Sequence, residues 1–456
     1  MVRWFSCFEE PLGSYLWVSD SPSDVLEDGP QRKRARVTSD ADVPRPSQCA
    51  SVVLFDVTRL LSRSHHRVPR GIDRVVSEYV LHLERLYADR VVYCAYYAGA
   101  WWIVSSHLIR ALVARQIRQW FGARHPMTWA ARALARAASD RKLRPAFWVL
   151  STRRLSEATL MDGDVLYINV SHKALARIAQ LRDELPRRNV RIVVMIHDLM
   201  PLTSPRFFPA ALREQFAASM AAVSRSADLV IANSDETARD VGSVLASQAG
   251  PSIVVLPLGV RTAAVPMPAG RRAVPMFACL GAIEARKNVE LLLRVWERMI
   301  STSTTPPQLV LVGEASADAS LERQIDGLRP HVSVQSGLDD VAVAELLSGA
   351  RALLFPSWAE GFGLPLVEAL AAGIPVLCSD LPALREVGGD LPEFLPPHEP
   401  DAWLATIQEY AGRSPRRQAQ LERIRGFRPP SWERHFAMLA AALSNLQSRA
   451  PHDSPG

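Results

Sequence analysis

Short apolar runs, each followed by a stretch of helical periodicity, recur along most of the chain. "SVVLFDV" (51–57) has the continuous apolar character of a strand buried on both faces, 72–86 spaces its apolar residues three and four apart, and "RVVYCAYY" (90–97) is again β-rich. "DVLYINV" (164–170), "RIVVMIHD" (191–198), "DLVIANS" (228–234) and "SIVVLPLGV" (252–260) continue the series. The stretch 261–275, containing Pro, Ala and Gly, reads as a linker or hinge, after which the alternation restarts. "MFACLGAI" (276–283), "QLVLVGE" (308–314), "VSVQSG" (332–337), "RALLFPS" (351–357) and "IPVLCSD" (374–380) are expected strands. Helices are expected over 288–300, 318–327, 340–349, 365–372 and 401–411. This pattern predicts an α/β fold with a doubly wound parallel sheet in each half. Ligands of such sheets bind beyond the carboxyl ends of the strands, so two of them face to face enclose a cleft.

The boundaries follow from the same texture. Residues 1–48 are rich in Pro, Ser and Asp, carry "QRKRAR", lack periodicity, and are expected to be a disordered extension. A first domain is expected over 49–262, with a basic helical insertion at about 107–150, and a second over 263–430. A last helix, 431–447, is expected to pack back toward the first domain, leaving a tail at 448–456. Length agrees, because 456 residues exceed one ordinary domain.

Composition adds exclusions rather than chemistry. No apolar run reaches the length of a membrane span, and no secretory leader is legible, so a cytoplasmic location is expected. Cys7, Cys49, Cys94, Cys279 and Cys378 are odd in number and never form C-x-x-C, which argues against a disulfide framework and a zinc site. The net charge of +6 carries little weight, and "QRKRAR" in a solvated tail needs no nucleic acid. Only four of the 53 basic residues are lysines, so Lys287 stands out as a compact point charge kept where arginine is otherwise preferred.

The most informative stretch is "PSWAEGFGLPLVEALAAGIPVLCSD" (356–380). Pro365 suits the first turn of a helix, yet the positions before it are Gly363 and Leu364 rather than Ser, Asp or Asn. The amides of the first turn therefore lack a side-chain acceptor and stand open to an external anion, which the helix dipole favours. Gly361 and Gly363 are expected to let the backbone approach that anion. Glu360 on the turn and Glu368 in the first helical turn are expected to face one mouth. Two carboxylates and a phosphate repel one another unless hydroxyls and cations intervene, and a polyhydroxylated phosphate ester supplies the hydroxyls. A dinucleotide fingerprint, Gly361-x-Gly363 with Asp380 downstream, is the weaker alternative, because Leu366 stands where close packing wants Gly or Ala.

"EGFGLPLVE" resembles the E-x7-E motif of the retaining glycosyltransferases with the GT-B fold, and the chain from about 51 to 447 is similar to glycosyltransferase family 4. The resemblance implies two Rossmann-like domains and a nucleotide diphosphate sugar as donor. It places Glu368 on the ribose hydroxyls, Glu360 beside the donor sugar, and the backbone of Gly361, Phe362, Gly363 and Leu364 along the donor site. It gives Lys287 and, less directly, Arg286 the diphosphate; many members also have an arginine where this sequence has Ala282. His197 is expected to touch the donor sugar, with Asp198 orienting it, and Gly71 in "VPRGIDRVVSEYV" to approach the reacting centre. Asp73 and Arg74 are candidates for acceptor or structural contacts. Ser234 is read as a helix cap.

Two fixed cations fit the lack of an Asp-x-Asp motif, so no metal or other cofactor is expected. "HDLMPL" with "EARKN" points to mannosyltransferases of bacterial surface polysaccharides, with GDP-mannose as donor and a glycan or lipid-linked glycan as acceptor. The alternatives are a non-catalytic glycan-binding relative and a phosphorylase or epimerase of the same fold. Between 109 and 144 nine basic residues accompany one acid, Asp140. Ile109, Leu112, Val113, Ile117, Trp120 and Phe121 share a helical face there, which either rests on an anionic membrane at the inner face of the cell or packs on the first domain.

Overall fold

Two sheets, the first parallel except for antiparallel pairings at one edge and the second parallel throughout, are each wound on both faces by helices. The structure is a computed structural model and describes residues 52–66, 71–120, 151–245, 250–261, 274–314 and 318–447. The whole expected extension, the centre of the linker, residues 121–150, the last residues of the chain, and Cys7 and Cys49 lie outside the described residues.

The first sheet comprises β1 (Val52–Asp56), β2 (Val91–Tyr97), β3 (Ala100–Val104), β4 (Thr152–Arg154), β5 (Val165–Asn169), β6 (Val190–Ile196), β7 (Leu229–Ala232) and β8 (Ser252–Val255). Its order is β4-β3-β2-β1-β5-β6-β7-β8. β1, β5 and β6 are buried along their whole length, which is why they read as unbroken apolar runs. β3 and β4 were not legible in the sequence pattern. β3 returns antiparallel to β2 through Ala98 and Gly99, both at positive φ, the geometry that a two-residue hairpin requires.

The second sheet comprises β9 (Met276–Leu280), β10 (Gln308–Val312), β11 (Val332–Gln335), β12 (Leu353–Phe355), β13 (Val376–Ser379) and β14 (Glu393–Leu395). It is parallel throughout, in the order β11-β10-β9-β12-β13-β14. Chain order reverses between β9 and β12, and the crevice beyond their carboxyl ends is where such a sheet takes a ligand. The first sheet reverses in the same way around β1, between β2 and β5.

The helix Trp432–Gln447 follows the second sheet in the chain but packs on the first domain. His435 bridges the Tyr79 hydroxyl at 2.8 Å and the Pro257 carbonyl at 2.9 Å, Phe436 stacks on His82, and the Val260 amide donates to the Pro430 carbonyl. One apolar cluster runs from Phe55 and Val76 through Leu366 and Phe355 to Trp432 and Leu439, so both domains contribute to it.

The helix Ser106–Trp120 resolves the alternatives for its described part. Ile109, Leu112, Val113 and Ile117 are buried in the protein's own core, and Arg110 pairs with Glu84 at 3.0 Å. That apolar face is covered by protein and not open to a membrane. Trp120 and Phe121 lie beyond what can be described. No helix among the described residues is long and apolar enough to cross a bilayer.

Candidate functional site

The helix Leu364–Ala371 opens without a side-chain cap, as its sequence predicts. Gly363 sits at its N-cap with φ +87°, a conformation that L side chains rarely adopt, and a Cβ there would overlap Leu384. Among the described residues no protein acceptor faces the amides of Gly361, Phe362, Gly363 or Leu364. These amides follow β12 directly, at the point where the second sheet reverses its order.

Across that reversal, β9 leads through Gly281 to Arg286 and Lys287. The Lys287 ammonium lies 2.5 Å from Glu360 Oε1 and 4.9 Å from the centre of the Phe355 ring. Arg286 is 3.6 Å from the same oxygen, donates to the Ala359 carbonyl at 3.0 Å, and pairs with Glu284 at 2.7 Å. Glu360 is only 9% exposed. Burial alone would raise its carboxyl, but Lys287 and Arg286 together hold it below the ordinary carboxylate range, so it stays ionised. Burial raises the neighbouring Asp198 carboxyl, against the pull of Arg286, and Asp198 accepts from the Met200 amide at 3.2 Å.

Glu368 lies under a different cation. Its Oε1 accepts from Arg74 Nη1 at 2.6 Å, and Arg74 Nη2 reaches Asp340 at 2.5 Å. Burial raises the Glu368 carboxyl and Arg74 counteracts it. The two glutamates therefore do not share one set of partners, as their expected common mouth implied. Glu360 is held by cations of its own domain, Glu368 by an arginine of the other. Asp73, next to Arg74, is 2% exposed and pairs with Arg59 and Arg63, a contact inside the first domain.

The glycines also bring the domains together. A Cβ on Gly361 would overlap the His197 carbonyl oxygen, so its lack of a side chain permits a close approach between the domains. A Cβ on Gly71 would lie 3.2 Å from Leu364 Cδ1. Phe362 buries its side chain in the shared apolar cluster, leaving only its backbone beside the helix mouth.

His197 is the expected donor contact whose ring has other partners. The imidazole is buried, its Nε2 donates to the Val170 carbonyl at 2.9 Å, and its backbone amide donates to His172 Nε2 at 3.1 Å. Burial pushes its pKa down to about 3, with His172 adding to the shift, so the ring is neutral. Asp198 makes no hydrogen bond to it and so does not orient it as expected; the Val170 carbonyl does. Ser234 caps the helix Asp235–Val244 by accepting from the Thr237 amide. Its hydroxyl also donates to the Gly361 carbonyl at 2.9 Å, a second role that sequence reasoning missed. Glu386 was missed as well: its carboxylate accepts from the amides of Asp235 and Glu236 at 2.6 and 3.1 Å, across the domain boundary.

Comparison with known proteins bears on the fold that holds this arrangement. Residues 274–412 match the family described as glycosyl transferases group 1. O-antigen chain mannosyltransferase B of Escherichia coli is 27% identical over 237 residues, covering 49% of this chain and 62% of that protein. The chain thus spans less than two thirds of the length of the first curated relatives that it matches. Sucrose-phosphate synthase from Thermosynechococcus elongatus superposes with a TM-score of 0.54 at 17% identity, covering 87% of this chain and 99% of that one. Anabaena HepE, solved with UDP and glucose, gives 0.54 at 17% identity over 87% and 98%. The family match thus lies on the second domain, and the two facing Rossmann-like sheets have the GT-B fold of these solved structures.

Proposed function

We propose that this protein transfers a hexose from a nucleotide diphosphate sugar to a glycan or lipid-linked glycan with retention of configuration, in bacterial surface polysaccharide synthesis. The observation that carries the reading is the uncapped mouth at Gly363, with Lys287 and Arg286 clustered on Glu360 at the reversal point of the second sheet. Departure of a diphosphate develops negative charge, and preorganised donors and cations aimed at it lower the barrier. The open amides and the two cations are groups of that kind.

In this reading Glu360 touches the donor sugar, Glu368 the ribose hydroxyls, and the backbone from Gly361 to Leu364 the diphosphate. Gly71 borders the reacting centre from the first domain. His197 positions the turn through its backbone carbonyl, which meets Gly361, while its buried ring is held by the Val170 carbonyl. The likeness to mannosyltransferases named for O-antigen chains favours mannose, and GDP-mannose is the donor to try first. A cytoplasmic protein working beside the inner face of the membrane fits a lipid-linked acceptor.

The test is a thermal-shift panel of GDP, UDP, ADP and their hexose derivatives on the full chain, followed by donor hydrolysis for any compound that binds. The reading expects one nucleoside diphosphate and its sugar to stabilise the protein. Stabilisation only by a free glycan would favour the glycan-binding alternative.

A further inference from the structure

Among the described residues, contacts that tie the two domains together around the site include Gly361 on the His197 carbonyl, Ser234 on the Gly361 carbonyl, Glu386 on the helix at Asp235, and Arg74 on Glu368 and Asp340. Only the last occupies a group assigned to the donor. We propose that Arg74 is a latch that the donor displaces: its guanidinium holds Glu368 and Asp340 in the unliganded protein, and the vicinal hydroxyls of the donor ribose take its place on Glu368. This rests on the reading of Glu368 as the ribose-binding carboxylate.

Space supplies the first argument. The cavity bordered by Arg74, Glu368, Asp340 and Leu364 measures about 30 Å³. That is room for about two waters and too little for a ribose, so a ribose reaches Glu368 through this cavity only if the arginine moves. Accessibility supplies the second. Arg74, Glu368 and Asp340 are 28%, 25% and 25% exposed, whereas Glu360 and Lys287 are 9% and 12% exposed. Solvent therefore weakens the Arg74 bridge more than the Lys287 pair, and the bridge is the contact that a ligand can exchange.

Chemistry supplies the third. Arg74 offers two N–H donors to two carboxylates that would otherwise repel one another. A ribose cis-diol also presents hydroxyl donors that can replace the Arg74 N–H on Glu368, while a deoxygenated sugar cannot. Arg74 lies on the helix Gly71–Tyr87 of the first domain, so displacement also unties that helix from the second domain. Donor binding would in this way alter the wall on which the acceptor rests.

Calorimetric titration of the full chain and of Arg74→Met, with GDP and 2′,3′-dideoxy-GDP and with the corresponding UDP pair, tests the latch. Removing a competitor that occupies the site most of the time should tighten ribonucleotide binding about tenfold. Affinity for the dideoxy compound should stay unchanged, because it makes no use of Glu368. Arg74→Lys, which retains a charge but not the fork, should fall between Arg74→Met and the native protein, and serves as the decisive variant if Arg74→Met does not fold. Ribonucleotide binding that is equal or weaker in these variants overturns the latch. If the native chain binds no nucleoside diphosphate, the functional reading fails together with it; if the native chain binds and the variants are no tighter, the latch alone fails.

Discussion

Gly361 lies against the backbone carbonyl of His197 so closely that no Cβ fits between them, although the two residues belong to different domains. The same carbonyl accepts from Asn233 Nδ2 at 2.9 Å, and the Gly361 carbonyl accepts from Ser234. The turn bearing Glu360 is thus positioned from the opposite side of the cleft, by the His197 backbone carbonyl and the Ser234 hydroxyl.

Gly361→Ala should consequently push the domains apart. Overpacking of this kind costs roughly 1–3 kcal/mol, and a displacement of about 1 Å at a reacting centre lowers turnover on the order of a hundredfold. Small-angle scattering should show a larger radius of gyration and thermal unfolding a lower Tm. An unchanged radius with native turnover would refute the positioning role.

Lys287→Met removes the nearer of two cations from a nearly buried carboxylate. Leaving such a charge underpaired costs about 3 kcal/mol, and adding Glu360→Gln should restore most of it. Lys287 and Arg286 hold the Glu360 carboxyl in the folded protein below its ordinary value of 4.5. Its contribution is therefore fully present above that value and is lost as pH falls through the lowered folded pKa. In urea titrations the double variant should lose less stability than the native chain over that acid range.

His435 gives a pH dependence of its own. Burial between Tyr79, Trp432, Phe436 and His82 pushes its pKa down to about 4, with His82 adding to the shift and the Pro257 carbonyl opposing it. The unfolded chain takes up this proton first, so the His435 contribution falls as pH drops from about 6.5 to about 4. Against native protein, His435→Gln should flatten the slope of stability with pH in that window by up to ~1.4 kcal/mol per pH unit. Parallel slopes would show that His435 does not carry this dependence.

Much of the fold was legible because parallel strands buried on both faces leave unbroken apolar runs, as at Val52–Asp56 and Val190–Ile196. The helix mouth was legible too, since Gly363 and Pro365 are local signals. β3 was missed because its hairpin turns through Ala98 and Gly99 rather than through Asn-Gly. Cross-domain partners left no local trace: Ser234 and Gly361 stand 127 positions apart, and Arg74 and Glu368 stand 294 apart. Arg74 could be named as a candidate from its loop, but its partner depended on how the two sheets face one another. The same distance explains why the contact of Gly361 with the His197 carbonyl could not be read from the sequence.

Ser234→Ala should reveal the double role of that hydroxyl. Loss of a helix cap costs about 1 kcal/mol, and losing the bond to Gly361 adds to it. Thr retains both bonds in principle, so Ser234→Thr should recover stability in thermal unfolding. Equal destabilisation by Ala and Thr would argue against the hydroxyl as the cause.

The most direct test is titration of the purified chain with GDP-mannose, GDP, UDP-glucose and UDP, repeated on a variant carrying both Lys287→Met and Glu368→Ala. The account predicts saturable binding of one nucleotide family by the native protein and its loss in the double variant. Binding that survives both substitutions undiminished, or no nucleotide binding by the native chain, would contradict it.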